Sequence, residues 1–380
     1  RTSPTMASFP GANVASEPGE QHQHQQQAPP SGESTATIAA AEARTRGYLP
    51  RIAAAVAALK QKKQKQKNTQ LNPLVADASI YRGKVRDVYA PTQNPGVVVL
   101  VATGRQSAFD RPLATVPFKG EVLNLISLWW FERTKDIVPN HVVSVVPRVP
   151  SALVAKKCAP VFPVEFVVRG YVTGSTETSM WTHYKNGCRN YCGHALPEGL
   201  RKNQRLEQPL LTPTTKESDK GKHDAPISAD EIVATGRMRQ EDWDVCATAA
   251  LELFKFGQKI AEKRGLILVD TKYEFGLAPD GKTIMLVDEI HTPDSSRYWL
   301  AGSYRTRFDD GLEPENVDKE FLRLWYKSRC DPYKDATIPD APDDLVAELA
   351  RRYILLYELI TGDTFQFSSR DERDDDDDDD

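Results

Sequence analysis

Apolar positions along this chain follow two rhythms, and together they divide most of it into strands and helices. Runs rich in β-branched and aromatic residues predict strands over 81–89, 97–103, 142–146 and 161–172. Helical spacing predicts helices over 120–135, 229–264, 318–328 and 342–361, with Ser228 as a cap and Gly265 as a stop. The paired Trp129 and Trp130 fall on the first of these helices and read as core. The pattern describes an α+β fold in two lobes, a β-rich first part over 71–160 and a larger mixed part over 161–367.

Two neighbouring segments break the pattern in an informative way. Residues 266–276 and 285–299 have the apolar character of buried strands yet carry charges. Alternation along a strand places Asp270, Lys272 and Glu274 on one face and Thr271, Tyr273 and Phe275 on the other. Burying such charges costs several kcal/mol each unless they are paired or bind a metal. A half-exposed edge strand with a cross-strand ion pair explains one such segment, and a functional site explains two better. The Asp-Gly signal in 278–282 predicts that the segments form a hairpin. Glu274 and Asp288 then share a face only if the connection has odd length or contains a bulge, since a two-residue Asp280-Gly281 turn would put Glu289 there instead.

Composition narrows the class. The chain has 380 residues, 40% hydrophobic, enough for one large or two moderate domains. Its net charge of −4 conceals an uneven distribution. Residues 371–380 hold eight Asp and one Glu against one Arg, and residues 1–70 hold nine Lys and Arg against four Glu. The remainder is close to neutral, so no nucleic-acid partner is predicted. The absence of any run of 18 apolar residues predicts no membrane-spanning helix and no membrane partner. Residues 1–70 are rich in Ser, Ala and Gln, then basic, with a helix-forming Ala-rich stretch at 52–59, which reads as a disordered extension or a transit peptide. Residues 368–380 read as an acidic disordered tail. Five cysteines without paired spacing suit a reducing compartment, and Cys188 and Cys192 near His183 and His194 lack the second ligand pair of a closed zinc site.

Further segments carry candidate chemistry. Residues 81–89 place Lys84 and Arg86 beside Gly83, a combination that suits phosphate oxygens, although a charged edge strand accounts for it equally. An apolar strand ends at Arg169 and leads into glycine turns before Ser175, another arrangement for holding an anion. Residues 211–216 and 221–224 form a polar loop in which His223 or Asp224 is a candidate for proton transfer.

These segments together resemble the phosphoribosylaminoimidazole-succinocarboxamide synthase (SAICAR synthetase) family. The resemblance rests on GKVRDVY at 83–89, SAFD at 107–110, VVRGYVTGS at 167–175, LTPTTK at 211–216 and HD at 223–224. It continues through DTKYEFG at 270–276, DEIHTPDSSRYW at 288–299 and DKEFLRLW at 318–325. It covers about residues 75–362 and is nearest the plant-type branch, which implies a plastid stroma location, with the cytoplasm as the alternative. It implies a β-rich nucleotide lobe and a mixed lobe, distantly like ATP-grasp and kinase architectures. The implied reaction activates the carboxylate of carboxyaminoimidazole ribotide with ATP through an acyl phosphate, which the amine of L-aspartate then displaces. Gly83, Lys84 and Arg86 correspond to the nucleotide-phosphate loop, and Glu274 and Asp288 to acids for Mg²⁺. Arg169, Ser175 and Arg297 correspond to residues holding the ribotide phosphate. Lys272 matches a lysine near the transferred phosphoryl group, Asp270 and Asp224 match polar groups around the imidazole, and Ser107 lies near the aspartate substrate. One departure stands out: the family reads Thr-Asp-Arg before the SAFD segment, and this chain has Thr103-Gly104-Arg105. A non-catalytic nucleotide-binding relative and a small-molecule kinase are the rival classes.

Overall fold

The protein is described by a computed structural model covering residues 32–61, 75–216 and 224–367. Two antiparallel sheets carry an α+β fold. The first has five strands in the order Ser79–Arg82, Arg86–Ala90, Val97–Ala102, Ala152–Lys156, Val142–Val145. The second is organised about Leu266–Leu277, whose first four residues are all buried. Val164–Val172 pairs along one side of it, and Ser296–Leu300 followed by Ile284–Val287 pair along the other. The amphipathic helix Gln240–Lys263 covers this sheet, burying Trp243, Cys246, Ala250, Leu253, Phe254 and Ala261 at helical spacing.

The helix Lys119–Thr134 bridges the two halves. Trp130 and Phe131 are fully buried in a core cluster that contains Ala102 of the first sheet as well as Phe166 and Leu268 of the second, so the main core reaches both sheets, while Val99, Val146, Val149 and Ala152 form a smaller cluster on the first sheet. Full burial of each such side chain contributes about 1.5–3 kcal/mol, and a cut between the lobes would expose several at once. Trp129 is only half-buried, with Arg133 over its ring.

Four expectations need correction. The single strand over 81–89 is a hairpin, because Arg82 pairs with Asp87 and the Gly83 amide donates to the Arg86 carbonyl at 2.8 Å, leaving Lys84 and Val85 at the tip. The helix over 229–264 is two helices, Ala229–Ala234 and Gln240–Lys263, separated at Gly236 with φ +70°. Ser228 does cap the first of them, in a reciprocal arrangement with Glu231. The connection after Leu277 is neither odd nor bulged: Glu274 faces Val287, Leu277 faces Ile284, and the loop spans 279–282 with Asp280 accepting the Thr283 amide at 2.8 Å.

The fourth correction concerns the segment 1–70. Gly32–Gly47 and Leu49–Gln61 are helices packed on the terminal helix Asp343–Thr361, with Ala41, Ile52 and Val56 buried in the main core. Most alanines of these helices face outward, and the sparse buried set at 41, 45, 52 and 56 is too short to stand out as a pattern. Residues 1–31, 62–74 and 368–380, including the acidic tail, lie outside the described residues.

Candidate active site

Two charged clusters sit on one face of the strand Leu266–Leu277. Asp270 lies directly between Arg169 on one neighbouring strand and Arg297 on the other. Residues opposite one another in a sheet project together, so the three form a row. Arg169 donates to Asp270 Oδ2 at 3.1 Å and Arg297 donates to the same oxygen at 2.5 Å. Arg169 also donates to Thr212 Oγ1 at 2.9 Å, and Arg297 to Glu320 at 3.2 Å. Arg323 shares Glu320 at 3.1 Å, and Ser175 is buried beside it with its carbonyl taken by Lys327. Burial alone would raise the Glu320 pKa, but Arg297 and Arg323 outweigh it and bring the carboxyl down to about 2. Asp318 nearby behaves oppositely: burial pushes it up to about 7 even though it accepts amide bonds from Tyr298 and Glu320. The row and its surroundings hold four fixed cations, Arg169, Arg297, Arg323 and Lys327, against the carboxylates of Asp270 and Glu320 and a third carboxyl, Asp318, whose charge burial disfavours. That surplus suits a dianion gripped by guanidinium forks.

The second cluster lies one step along the same face, about 7 Å away. Lys272 donates to Glu274 at 2.5 Å, to Glu165 at 3.2 Å and to Asp288 at 3.5 Å. Lys216 also pairs with Glu274, and Arg86 with Asp288 and, at 3.2 Å, Glu289. Burial would depress the Lys272 pKa, but Glu165, Glu274 and Asp288 overcome it and raise it well above the ordinary value. The Asp288 carboxyl shows the mirror effect: burial would raise it, and Arg86 and Lys272 hold it below the usual range.

Asp288 reaches this cluster in spite of the register. The strand ends at Val287, and Asp288 itself takes φ +66°, a left-handed conformation unusual for a non-glycine residue. The reversal swings its carboxylate back toward Lys272. Parity therefore failed as the criterion, because it applies only while the strand continues.

Glu274 and Asp288 are hard oxygen donors bridged by one ammonium, which fits Mg²⁺ held by one or two carboxylates together with nucleotide phosphates. Among the described residues no three His, Cys, Asp or Glu side chains gather as an all-protein metal cage. Cys188 and Cys192 instead point to the carbonyls of Asn190 and Pro213, and His194 bonds the Leu211 carbonyl.

The hairpin tip Gly83-Lys84 reaches toward these clusters. Lys84 donates to Asp110 at 2.7 Å, which raises its pKa, and Asp224 and Glu165 add to the effect. Asp110 arrives there because Phe109 and Asp110 both take left-handed φ at the tip of the hairpin Arg105–Ala108 and Arg111–Thr115. Ser107 sits on that hairpin and belongs to neither cluster. Asp224 is exposed within charge range of Lys84, and His223 lies outside the described residues. Gly104 packs so tightly that a Cβ there would stand 2.8 Å from the Val116 carbonyl. Arg105 is nevertheless held, donating to Asp87 at 2.6 Å and to the Gly83 carbonyl at 3.0 Å.

Sequence reasoning missed Glu165, Lys216, Glu320 and Arg323, and it weighed Glu289 only as the substitute for Asp288, whereas both acids pair with Arg86. Glu165 was visible as a charge inside the apolar strand Val164–Val172, the same signal that marked Lys272. It also missed Lys119, fully buried, whose ammonium bonds the Arg105 carbonyl at 2.9 Å and pairs with Asp294 at 2.8 Å. Tyr353 donates to Asp294 at 2.6 Å, which ties the terminal helix to the turn preceding Arg297.

Comparison with known proteins agrees with this arrangement. A family model described as SAICAR synthetase matches residues 79–339. A phosphoribosylaminoimidazole-succinocarboxamide synthase of Legionella pneumophila (strain Lens) is 60% identical over 289 residues, 76% of this chain and 89% of that protein. A chloroplastic one of Arabidopsis thaliana is 62% identical over 281 residues, 74% of this chain and 66% of that protein. The structure of SAICAR synthase from Saccharomyces cerevisiae complexed with SAICAR superposes with a TM-score of 0.64 at 29% identity, covering 80% of this chain and 99% of that one. With the matched segment containing both charged clusters and the strand that carries them, the chain belongs to the SAICAR synthetase family.

Proposed function

We propose that this protein is an ATP-dependent ligase of purine biosynthesis that joins L-aspartate to carboxyaminoimidazole ribotide, giving SAICAR, ADP and phosphate. The observation that carries the reading is the placement, on one strand face, of an arginine-rich row beside a lysine ringed by carboxylates. The row of Arg169 and Arg297, with Ser175, takes the ribotide phosphate. Asp270 holds both guanidinium groups in position with a single oxygen, which leaves its other oxygen for the substrate. Lys272 lies where charge builds on the transferred phosphoryl group, and a fixed cation there lowers the barrier. Gly83, Lys84 and Arg86 form the edge of the nucleotide site. When bound, Mg²⁺ at Glu274 and Asp288 neutralises phosphate charge. Ser107 lies on the side from which aspartate enters, and Asp224, exposed near Lys84, accepts the proton that the aspartate amine gives up. Arg105 keeps its Asp87 partner without an acid at position 104, so the glycine does not release it. A leader ahead of the described residues directs the protein to the plastid stroma, in line with its 62% identity to a chloroplastic relative.

The test is to incubate the protein with ATP, Mg²⁺, the ribotide and L-aspartate. ADP and phosphate should form in step with SAICAR and only when aspartate is present. Phosphorylated ribotide released without aspartate would replace the ligase by a kinase.

A further inference from the structure

The helices Gly32–Gly47 and Leu49–Gln61 precede the segment matched by the family model, and the activity assigns them no role. They grip the terminal helix Asp343–Thr361 along most of its length. Lys60 pairs with Asp343 at one end, Thr45 accepts from Arg351 at 3.2 Å in the middle, and Arg44 donates to Glu358 at 2.8 Å near the other end. Those contacts span fifteen helical steps, about 22 Å. The Glu358 side chain is wholly inaccessible, and it also accepts the Tyr48 hydroxyl at 3.1 Å and the Phe365 amide at 2.9 Å. Tyr48 and Arg51 close over Phe367. Ile52, Val56, Ala41 and Thr45 are buried at the seam.

The gripped helix has a second engagement. Its Tyr353 donates to Asp294 and lies within 3.2 Å of Gln106 Oε1, and Asp294 in turn holds the buried Lys119. The terminal helix is therefore clamped between the helical pair and the turn that precedes Arg297. We infer that residues 32–61 are a permanent clasp of the catalytic unit, kept when any leader is removed, and that they steady the terminal helix from which Tyr353 positions Asp294. A segment meant for removal has no use for a buried glutamate whose charge is neutralised by its own arginine. The inference is independent of which compartment the protein enters.

The experiment compares the full chain with Ile52→Asp, which places a carboxylate in the seam, and with Ala53→Asp, which places one on the exposed side of the same helix turn. Ile52→Asp should lower the Tm by roughly 4–8 °C and speed amide hydrogen exchange across 343–361 at least tenfold, while Ala53→Asp should match the unmodified chain in both. Unchanged exchange and Tm in Ile52→Asp would overturn the clasp. If Ile52→Asp does not fold, Ile52→Ala read by the same exchange measurement decides the matter. A second reading comes from the protein isolated from its source: an N-terminus at or before Gly32 agrees with retention, and one after Gly32 refutes it.

Discussion

Replacing Lys272 with methionine removes one ammonium from a cluster while keeping most of its volume. Three carboxylates lose their shared partner: Glu274 at 2.5 Å, Glu165 at 3.2 Å and Asp288 at 3.5 Å. The cluster shifts from four acids and three cations to four acids and two, with Lys216 and Arg86 remaining. A unit charge about 4 Å from another is worth about 4 kcal/mol at the effective dielectric of a protein surface, an upper bound because Lys272 remains partly accessible. Removing one donor aimed at developing charge typically costs about 10²–10³ in kcat. The same loss is expected here, read as aspartate-dependent ADP formation at saturating substrates. Stability supplies an independent check with a definite sign. Although burial would raise the Glu165 pKa, Lys272 and Lys216 hold it low. That contribution is present above the ordinary glutamate pKa and fades as pH falls below it. The Tm gap between the unmodified protein and Lys272→Met should therefore be widest near pH 7 and narrow on acidification through about pH 4. The raised Lys272 pKa adds no slope in that window, since its contribution is lost only as pH rises beyond the lysine range. A variant with unimpaired kcat, or a Tm gap that widens on acidification, would refute the reasoning.

Three further outcomes follow from the same geometry. Arg297→Ala should raise the KM for the ribotide by about 1.5–3 kcal/mol while leaving the KM for ATP nearly unchanged, and equal loss for both substrates would indicate a disordered cleft; because Arg297 is buried between Asp270 and Glu320, it should also cost about 2–4 kcal/mol of stability, softened by Arg169 and Arg323. Glu274→Gln should raise the Mg²⁺ concentration needed for half-maximal turnover, and full activity at low Mg²⁺ would remove Glu274 from the metal site; its two lysine partners make a stability loss of about 1–2 kcal/mol the accompanying expectation. Gly104→Asp should lower stability by about 1–3 kcal/mol, because its Cβ would meet the Val116 carbonyl at 2.8 Å, and a Tm equal to that of the unmodified protein would show that the hairpin yields.

Much of this fold was legible because the strands at the centre of the second sheet bury both faces and so stand out by composition. The central strand Leu266–Leu277, its hairpin partner and the helix with Trp130 all follow from apolar runs. What escaped was where the chain turns. The 81–89 segment keeps strand-forming residues straight through its tip, and one glycine among them did not mark the reversal. The Gly236 break was hidden because helical spacing resumes on both sides of it. The clasp was missed for a different reason. Its packing depends on a few scattered side chains, Ala41, Ile52 and Val56, and on a polar anchor, Arg44 to Glu358, across more than 300 residues of sequence. No local pattern reports such a partner, and the same composition also describes a leader.

The site divides along the same line. Asp270, Lys272 and Glu274 were found because charge inside an apolar strand is costly enough to demand an explanation, and strand alternation then placed them together. The partners that satisfy them, Arg169 and Glu165, sit on the adjacent strand, and pairing them needed a register that no turn rule supplies across the intervening residues. Asp288 shows where alternation stops being a guide. The hairpin register puts Val287 opposite Glu274, so a strand continuing one more residue would have pointed Asp288 away from Lys272. The chain instead leaves the sheet there, with Asp288 in a left-handed conformation that costs on the order of 1 kcal/mol. Two ion pairs, to Arg86 and to Lys272, hold it in that conformation. Extending the strand by one residue, with Asp288 in extended geometry, would relieve the backbone and give up the carboxylate. The retained strain, coinciding with the end of the strand and the start of the acid cluster, is itself an argument that Asp288 is held for chemistry rather than for folding.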